Sequence, residues 1–212
     1  ITDNGTTLGV PAPLSSVGTI TINVIDVNDP PIPGALTRQM SENRPSAPET
    51  LVVEVDDILD IALAGLPDEV TWQSVRFVGV NPDSQNGGNV TYDPVGQVIR
   101  FTPRVHFSGT DFFFYEIEDF STDPNRPLES RRAIGTVTVT ITNINDPPFV
   151  ETPLGTVVMA EDDPPRVIDL SQFFSDPDIA LAGDRLSYRV ISNSRDNLVT
   201  PSVSDSLLTL QL

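Results

Sequence analysis

The chain has 212 residues, with 30 acidic and 12 basic side chains and a net charge of −18, and every base is arginine. So negative a chain repels nucleic acid and anionic membrane and favours cations, and the lack of lysine excludes Schiff-base chemistry and a lysine–asparagine crosslink. There is no cysteine, hence no disulfide, thiol catalysis or thiolate-bound zinc, and no apolar run is long enough to span a bilayer.

In chain order, the first element is the alternating run "GTITINVIDV", Gly18–Val27, which ends in Asn28-Asp29-Pro30-Pro31. Short alternating segments come next, at 37–40, 50–55, 70–80, 89–93, 97–102, 111–118 and 134–142. Between them, "NGGN" (86–89) and "DPVGQ" (93–97) have turn chemistry. No stretch has helical periodicity, and 20 scattered prolines oppose long helices. Alternation turns Phe113, Tyr115 and Ile117 inward, and likewise Val137, Val139 and Ile141, with the intervening threonines facing out. Pro147-Pro148 cannot donate to a ladder, so pairing must stop there. Trp72 lies in an apolar segment and is expected in the core.

Two stretches are written twice. Residues 18–31 match 135–148 at an offset of 117, and "DIALAG" occurs at 60–65 and 178–183, an offset of 118. A period of that length is the size of one β-sandwich. The chain therefore divides into 1–29, the end of a first repeat, 30–147, a complete repeat, and 148–212, the beginning of a third. The expected fold is all-β, a tandem of immunoglobulin-like antiparallel sandwiches with about seven strands per repeat. The tight proline junctions fit a rod, Ile1–Val27 should be poorly packed, and the lack of a signal-like start leads us to expect a piece of a longer protein.

Three stretches resemble the bacterial cadherin-like, immunoglobulin-like tandem repeats of large secreted and cell-surface proteins. They are the strand endings "TITINVIDVNDPP" and "TVTVTITNINDPP", the run "FTPRVHFSGTDFFFYEIED" (101–119) and the run "FFSDPDIALAGDRLSYRV" (173–190). The resemblance implies calcium shared between the end of one domain, the linker and the start of the next. By position, Glu42 in "SEN" resembles the glutamate of the cadherin "PEN" motif, with Glu161 in "AED" its counterpart in the third repeat. Asn143, Asn145 and Asp146 resemble linker ligands, as do Asp26, Asn28 and Asp29. Asp176 and Asp178 resemble the family's aspartate pair, and Asp119 and Asp3 the aspartate closing the sixth strand. The family's second acidic motif is missing, since 103–106 reads Pro-Arg-Val-His. The aspartate pair of the complete repeat has slipped, with Ile58 opposite Asp176 and Asp57 and Asp60 nearby. The later junction should therefore bind the better.

Calcium takes about six to eight oxygens from carboxylates, amides and carbonyls, and these residues supply such a set. The alternative is that Asn and Asp only cap turns beside the prolines. Outward Phe112 and Phe114 are either a platform for sugar or protein, or are covered by the loop 121–132. His106 lacks a partner motif, and Glu116 and Glu118 read as a solvated strand face, so no enzyme is expected. The expected function is a structural and adhesive module of an extracellular protein, calcium-stiffened where repeats meet. Its partners are neighbouring repeats and a cell-surface protein or polysaccharide, with no nucleic acid and no membrane insertion. The alternative is a carbohydrate-binding module attached to a secreted polysaccharide-degrading enzyme.

Overall fold

A computed structural model of the chain describes residues 1–24, 27–126 and 129–212. Strands β1 (Thr6–Thr7) and β2 (Val10–Pro11) make a small exposed hairpin. Seven strands come after it: β3 (Ala35–Ser41), β4 (Leu51–Glu54), β5 (Gln73–Val80), β6 (Asn89–Asp93), β7 (Val98–Thr102), β8 (Gly109–Ser121) and β9 (Arg132–Thr142). They form two sheets, ordered β3-β9-β8-β5 and β4-β7-β6. This is an all-β sandwich of two facing sheets. Beyond it, β10 (Phe149–Val150) pairs with β12 (Phe174–Ser175), while β11 (Arg166–Asp169), β13 (Thr200–Ser204) and β14 (Leu207–Gln211) form a sheet ordered β11-β14-β13.

Alternation accounts for the core. Along β8, Phe113, Tyr115 and Ile117 are buried, and along β9 so are Val137, Val139 and Ile141, as expected. From the facing sheet come Val53, Ile99 and Phe101, with the Phe101 and Phe113 rings stacked at 5.6 Å. Each such side chain contributes about 1.5–3 kcal/mol by leaving water.

Three features depart from the expectation. The pairing is not wholly antiparallel, because β3 runs parallel to β9, with Ala35 opposite Thr136 and Ser41 opposite Thr142. A one-turn helix α1 (Val55–Leu59) interrupts the chain after β4, because Val55 and Ile58, three apart, are both buried. Trp72 is only half-buried, its indole N–H bonded to the Asp68 carbonyl and its ring under Arg126.

Residues 18–24 repeat the sequence pattern of β9 but form no strand. Ile20, Ile22 and Val24 are 87%, 79% and 83% exposed. Alternation specifies which side chains share a face, and neighbouring strands decide whether that face is buried.

Tyr115 ties the first and last strands together. Its ring lies against Gly135, its partner on β9, and its hydroxyl donates to the Gly34 carbonyl at 2.7 Å, just ahead of β3. A Cβ at position 135 would collide with the Tyr115 ring. Gly135→Ala should therefore destabilise the sandwich by about 1–3 kcal/mol, read as a lower denaturant midpoint with an unchanged m-value. Unchanged stability would show that the ring moves freely.

Candidate metal centre

The parallel pairing builds the site. Because β3 and β9 run the same way, both chains leave the sheet at one end. Glu42 comes directly after β3 and its N–H donates to the Thr142 carbonyl at 3.0 Å. Its side chain then lies beside the segment Asn143–Asp146, about a hundred residues later in the chain. Glu42 is fully buried. Its Oε1 accepts from the Ile144 N–H at 3.1 Å, while Oε2 has no hydrogen-bond partner. Burial pushes the Glu42 carboxyl above its ordinary value. The Ile144 N–H opposes that rise, and the charges of Asp146 and Asp178 add to it.

The third contributor comes from beyond the linker. Asp178 opens the one-turn helix α2 (Asp178–Leu181), and its Oδ2 accepts from the Asp146 N–H at 2.7 Å. Asp176 accepts in turn from the Asp178 N–H at 2.9 Å. Glu42, Asp146 and Asp178 are all buried, and each offers a carboxylate oxygen within 4.8 Å of the other two. A second group, Asp176, Asp178 and Asp184, shares Asp178.

Three buried carboxylates this close repel one another, and little positive charge answers them. His106 donates from Nδ1 to Asp146 Oδ2 at 2.6 Å, and an Arg44 nitrogen stands 3.9 Å from Asp146 Oδ1. His106 holds a left-handed φ of 57°, uncommon for a side-chain-bearing residue. Its N–H is bonded to the Asn43 carbonyl at 2.9 Å, which straps the 103–107 loop to the residue after Glu42.

The donor set fits a hard cation. Besides Glu42 Oε2, the Asn143 Oδ1 is buried with no partner. A buried, unpartnered oxygen costs about 1–3 kcal/mol, more when charged, and a divalent ion placed among these oxygens removes that cost. Glu42, Asp146 and Asp178 would hold it, with Asp176 and Asp184 beside them, and Asn143 of the same linker offers a further unpartnered amide oxygen. The ion would supply charge neutralisation.

The remaining expected residues fall elsewhere. Asn145 is exposed, and its side chain donates to the Asp146 carbonyl. Asn28, Asp29 and Asp119 meet at the opposite junction, and Asp26 lies outside the described residues. Among the described residues, Asp57 and Asp60 join no cluster of metal-ligating groups. With Val55 and Ile58 turned inward, Asp57 faces Arg38 at 2.6 Å and Asp60 is exposed. Glu161 is exposed, and Asp3 is spent on the N–H groups of Gly5 and Leu14 in the first hairpin.

Phe112 is half-buried and Phe114 37% exposed, their rings packed edge-on at 5.5 Å and 72°. Loop 121–132 is one expected cover for them. Its described residues instead bond to Trp72, Asn28 and Asp119, past the opposite end of β8. Glu116 and Glu118 are not a free solvated face. Arg132 binds both, and Arg76 holds Glu118 at 2.8 Å, lowering its pKa, the reverse of what a general acid needs.

Two residues escape a reading of the sequence. Asp184 could be found by setting the repeated "DIALAG" stretches side by side, since Leu66 occupies its place in the earlier copy. Glu69 carries no local motif.

No family model matches the chain, and no curated protein sequence matches it. Among solved structures, the human desmocollin-1 ectodomain is similar, with a TM-score of 0.40 and 19% identity over 96% of this chain. The chain spans 37% of that ectodomain's length, and a likeness this distant transfers neither ligand nor function.

The raised Glu42 pKa has a signed consequence. Without a cation, the folded protein holds the Glu42 proton more tightly than the unfolded chain, so stability falls as pH rises through the range above 4.5. Glu42→Gln keeps the acceptor for Ile144 and turns an N–H₂ toward Asp146 and Asp178. In chelator this variant should melt higher than the wild type at neutral pH, by about 1–3 kcal/mol of stability, and should lose that pH slope. A lower melting temperature in chelator would contradict the unpaired-charge account.

Proposed function

We propose that the chain is a structural segment of a long extracellular protein, built as a rod of sandwiches and stiffened by calcium at the 143–148 junction, in the service of adhesion. One observation carries this reading: the buried carboxylates come from three separate stretches, Glu42 of the sandwich, Asp146 of the linker and Asp178 of the segment beyond. An ion held by all three bonds the sandwich to the next segment of the chain. Removing the ion leaves like charges facing one another across the joint.

Calcium is the cation of choice because every donor is oxygen and the set mixes carboxylates with an amide. Millimolar extracellular calcium would largely fill even a site of about 10⁻⁴ M. The net charge of −18 adds to cation attraction. A non-enzymatic role agrees with Glu116 and Glu118 being held by arginines. No helix among the described residues is long and apolar enough to cross a membrane. The polysaccharide reading has less behind it, because two edge-packed rings present no common flat face for a sugar.

Calorimetric titration should show calcium binding, and small-angle scattering should show a narrower distribution of shapes in calcium than in chelator. At a hundredfold excess over the dissociation constant, binding stabilises the docked arrangement by about 2.7 kcal/mol. Asp178→Asn should abolish both responses, while Asp57→Asn, remote from the cluster, should leave them intact. Equal responses in the two variants would overturn the assignment of the site.

A further inference from the structure

The sequence Asn-Asp-Pro-Pro occurs twice, and the two copies are docked by different chemistry. At the later copy, the Asp146 N–H is received by Asp178. At the earlier one, the Asp29 N–H is received by Glu69 Oε1 at 2.9 Å. The aspartate set that stands beyond Asp146 in the sequence is not repeated beyond Asp29. At the repeat offset of 118, Asp176, Asp178 and Asp184 correspond to Ile58, Asp60 and Leu66. Ile58 is in the core, and Asp60 and Leu66 are exposed.

Amides fill the gap. Asn28 Oδ1 accepts from Gln73 Nε2 at 2.7 Å, and Asn28 Nδ2 donates to the Glu129 carbonyl at 2.8 Å and to Asp119 Oδ2 at 3.3 Å. Gln73, the buried first residue of β5, also donates to Glu69 Oε1 at 3.3 Å. The Leu66 N–H reaches Glu69 Oε2 at 3.1 Å, and the Arg131 N–H reaches Asp119 Oδ1 at 2.7 Å. Thus each carboxylate oxygen of Glu69 and Asp119 has an N–H donor, whereas Glu42 Oε2 at the later junction has none. Among the described residues here, the buried side-chain oxygen without a partner is Gln73 Oε1, a neutral amide.

We infer that Asn28 and Gln73 form an amide clamp that docks residues 28–29 onto the sandwich without a cation. The clamp stands apart from calcium binding at Asp146, so either can fail alone. It gives the sandwich one junction that persists when divalent ions are withdrawn.

The test is amide hydrogen exchange at Asp29, measured by NMR on the whole chain in chelator and in millimolar calcium. Protection should be equal in the two conditions. Asn28→Ala and Gln73→Ala should each speed Asp29 exchange about tenfold, the worth of one to two net hydrogen bonds, with β9 amides still protected. Should Gln73→Ala also expose β9, Asn28→Ala decides, since Asn28 lies outside the seven strands. Protection of Asp29 that appears only with calcium, or an unchanged rate in Asn28→Ala, overturns the clamp.

Discussion

The parallel register of β3 on β9 is the constraint on which the rest depends. Setting Ser41 opposite Thr142 brings the residue after the first strand beside the residues after the last. No local propensity could bring Glu42 to Asn143–Asp146. The register does it, and Tyr115, lying on Gly135 with its hydroxyl on the Gly34 carbonyl, helps fix that register from inside the sandwich. The core thus sets the geometry of a site at the end of the sandwich. A one-residue slip would turn Val137, Val139 and Ile141 outward and carry Glu42 away from its partners.

The two ends of the sandwich show how one linker sequence serves two electrostatic solutions. At one end Glu42, Asp146 and Asp178 gather buried negative charge with an unpartnered oxygen left over. At the other, N–H groups from Asn28, Gln73, Leu66, Asp29 and Arg131 meet the oxygens of Glu69 and Asp119. Asp119 still feels its burial, which raises its pKa, with the charges of Glu69 and Glu118 adding to that rise. The difference traces to a few positions. Ile58 and Leu66 stand where Asp176 and Asp184 stand in the next copy, and an apolar residue at position 58 draws the chain into helix α1 and turns Asp60 to solvent.

Much of this is legible in the sequence because it is local. Period-two alternation locates all seven strands and the inward side of β8 and β9, while Glu42, Asp146, Asp176 and Asp178 are grouped by the resemblance of their motifs to cadherin-like repeats and not by any local pattern. The illegible part is non-local. The direction of β3 depends on which edge it joins, and its residues read the same in either sense. Glu69 reaches Asp29 across 40 positions through a turn with no motif, and Gln73 looks like an ordinary strand residue until Asn28 is beside it. Hydrophobicity alone puts Trp72 in the core, yet Arg126 covers it from a loop whose course the sequence does not encode locally. The run 18–24 makes the same point, since its pattern matches β9 and its side chains remain in water.

The central claim is that a cation belongs among Glu42, Asp146 and Asp178. Its most direct test is a crystal structure of the chain grown in millimolar calcium, with an anomalous difference map. The account predicts a peak in contact with Glu42 Oε2 and with carboxylate oxygens of Asp146 and Asp178, at about 2.3–2.6 Å. The same carboxylates in place with no peak between them would contradict it.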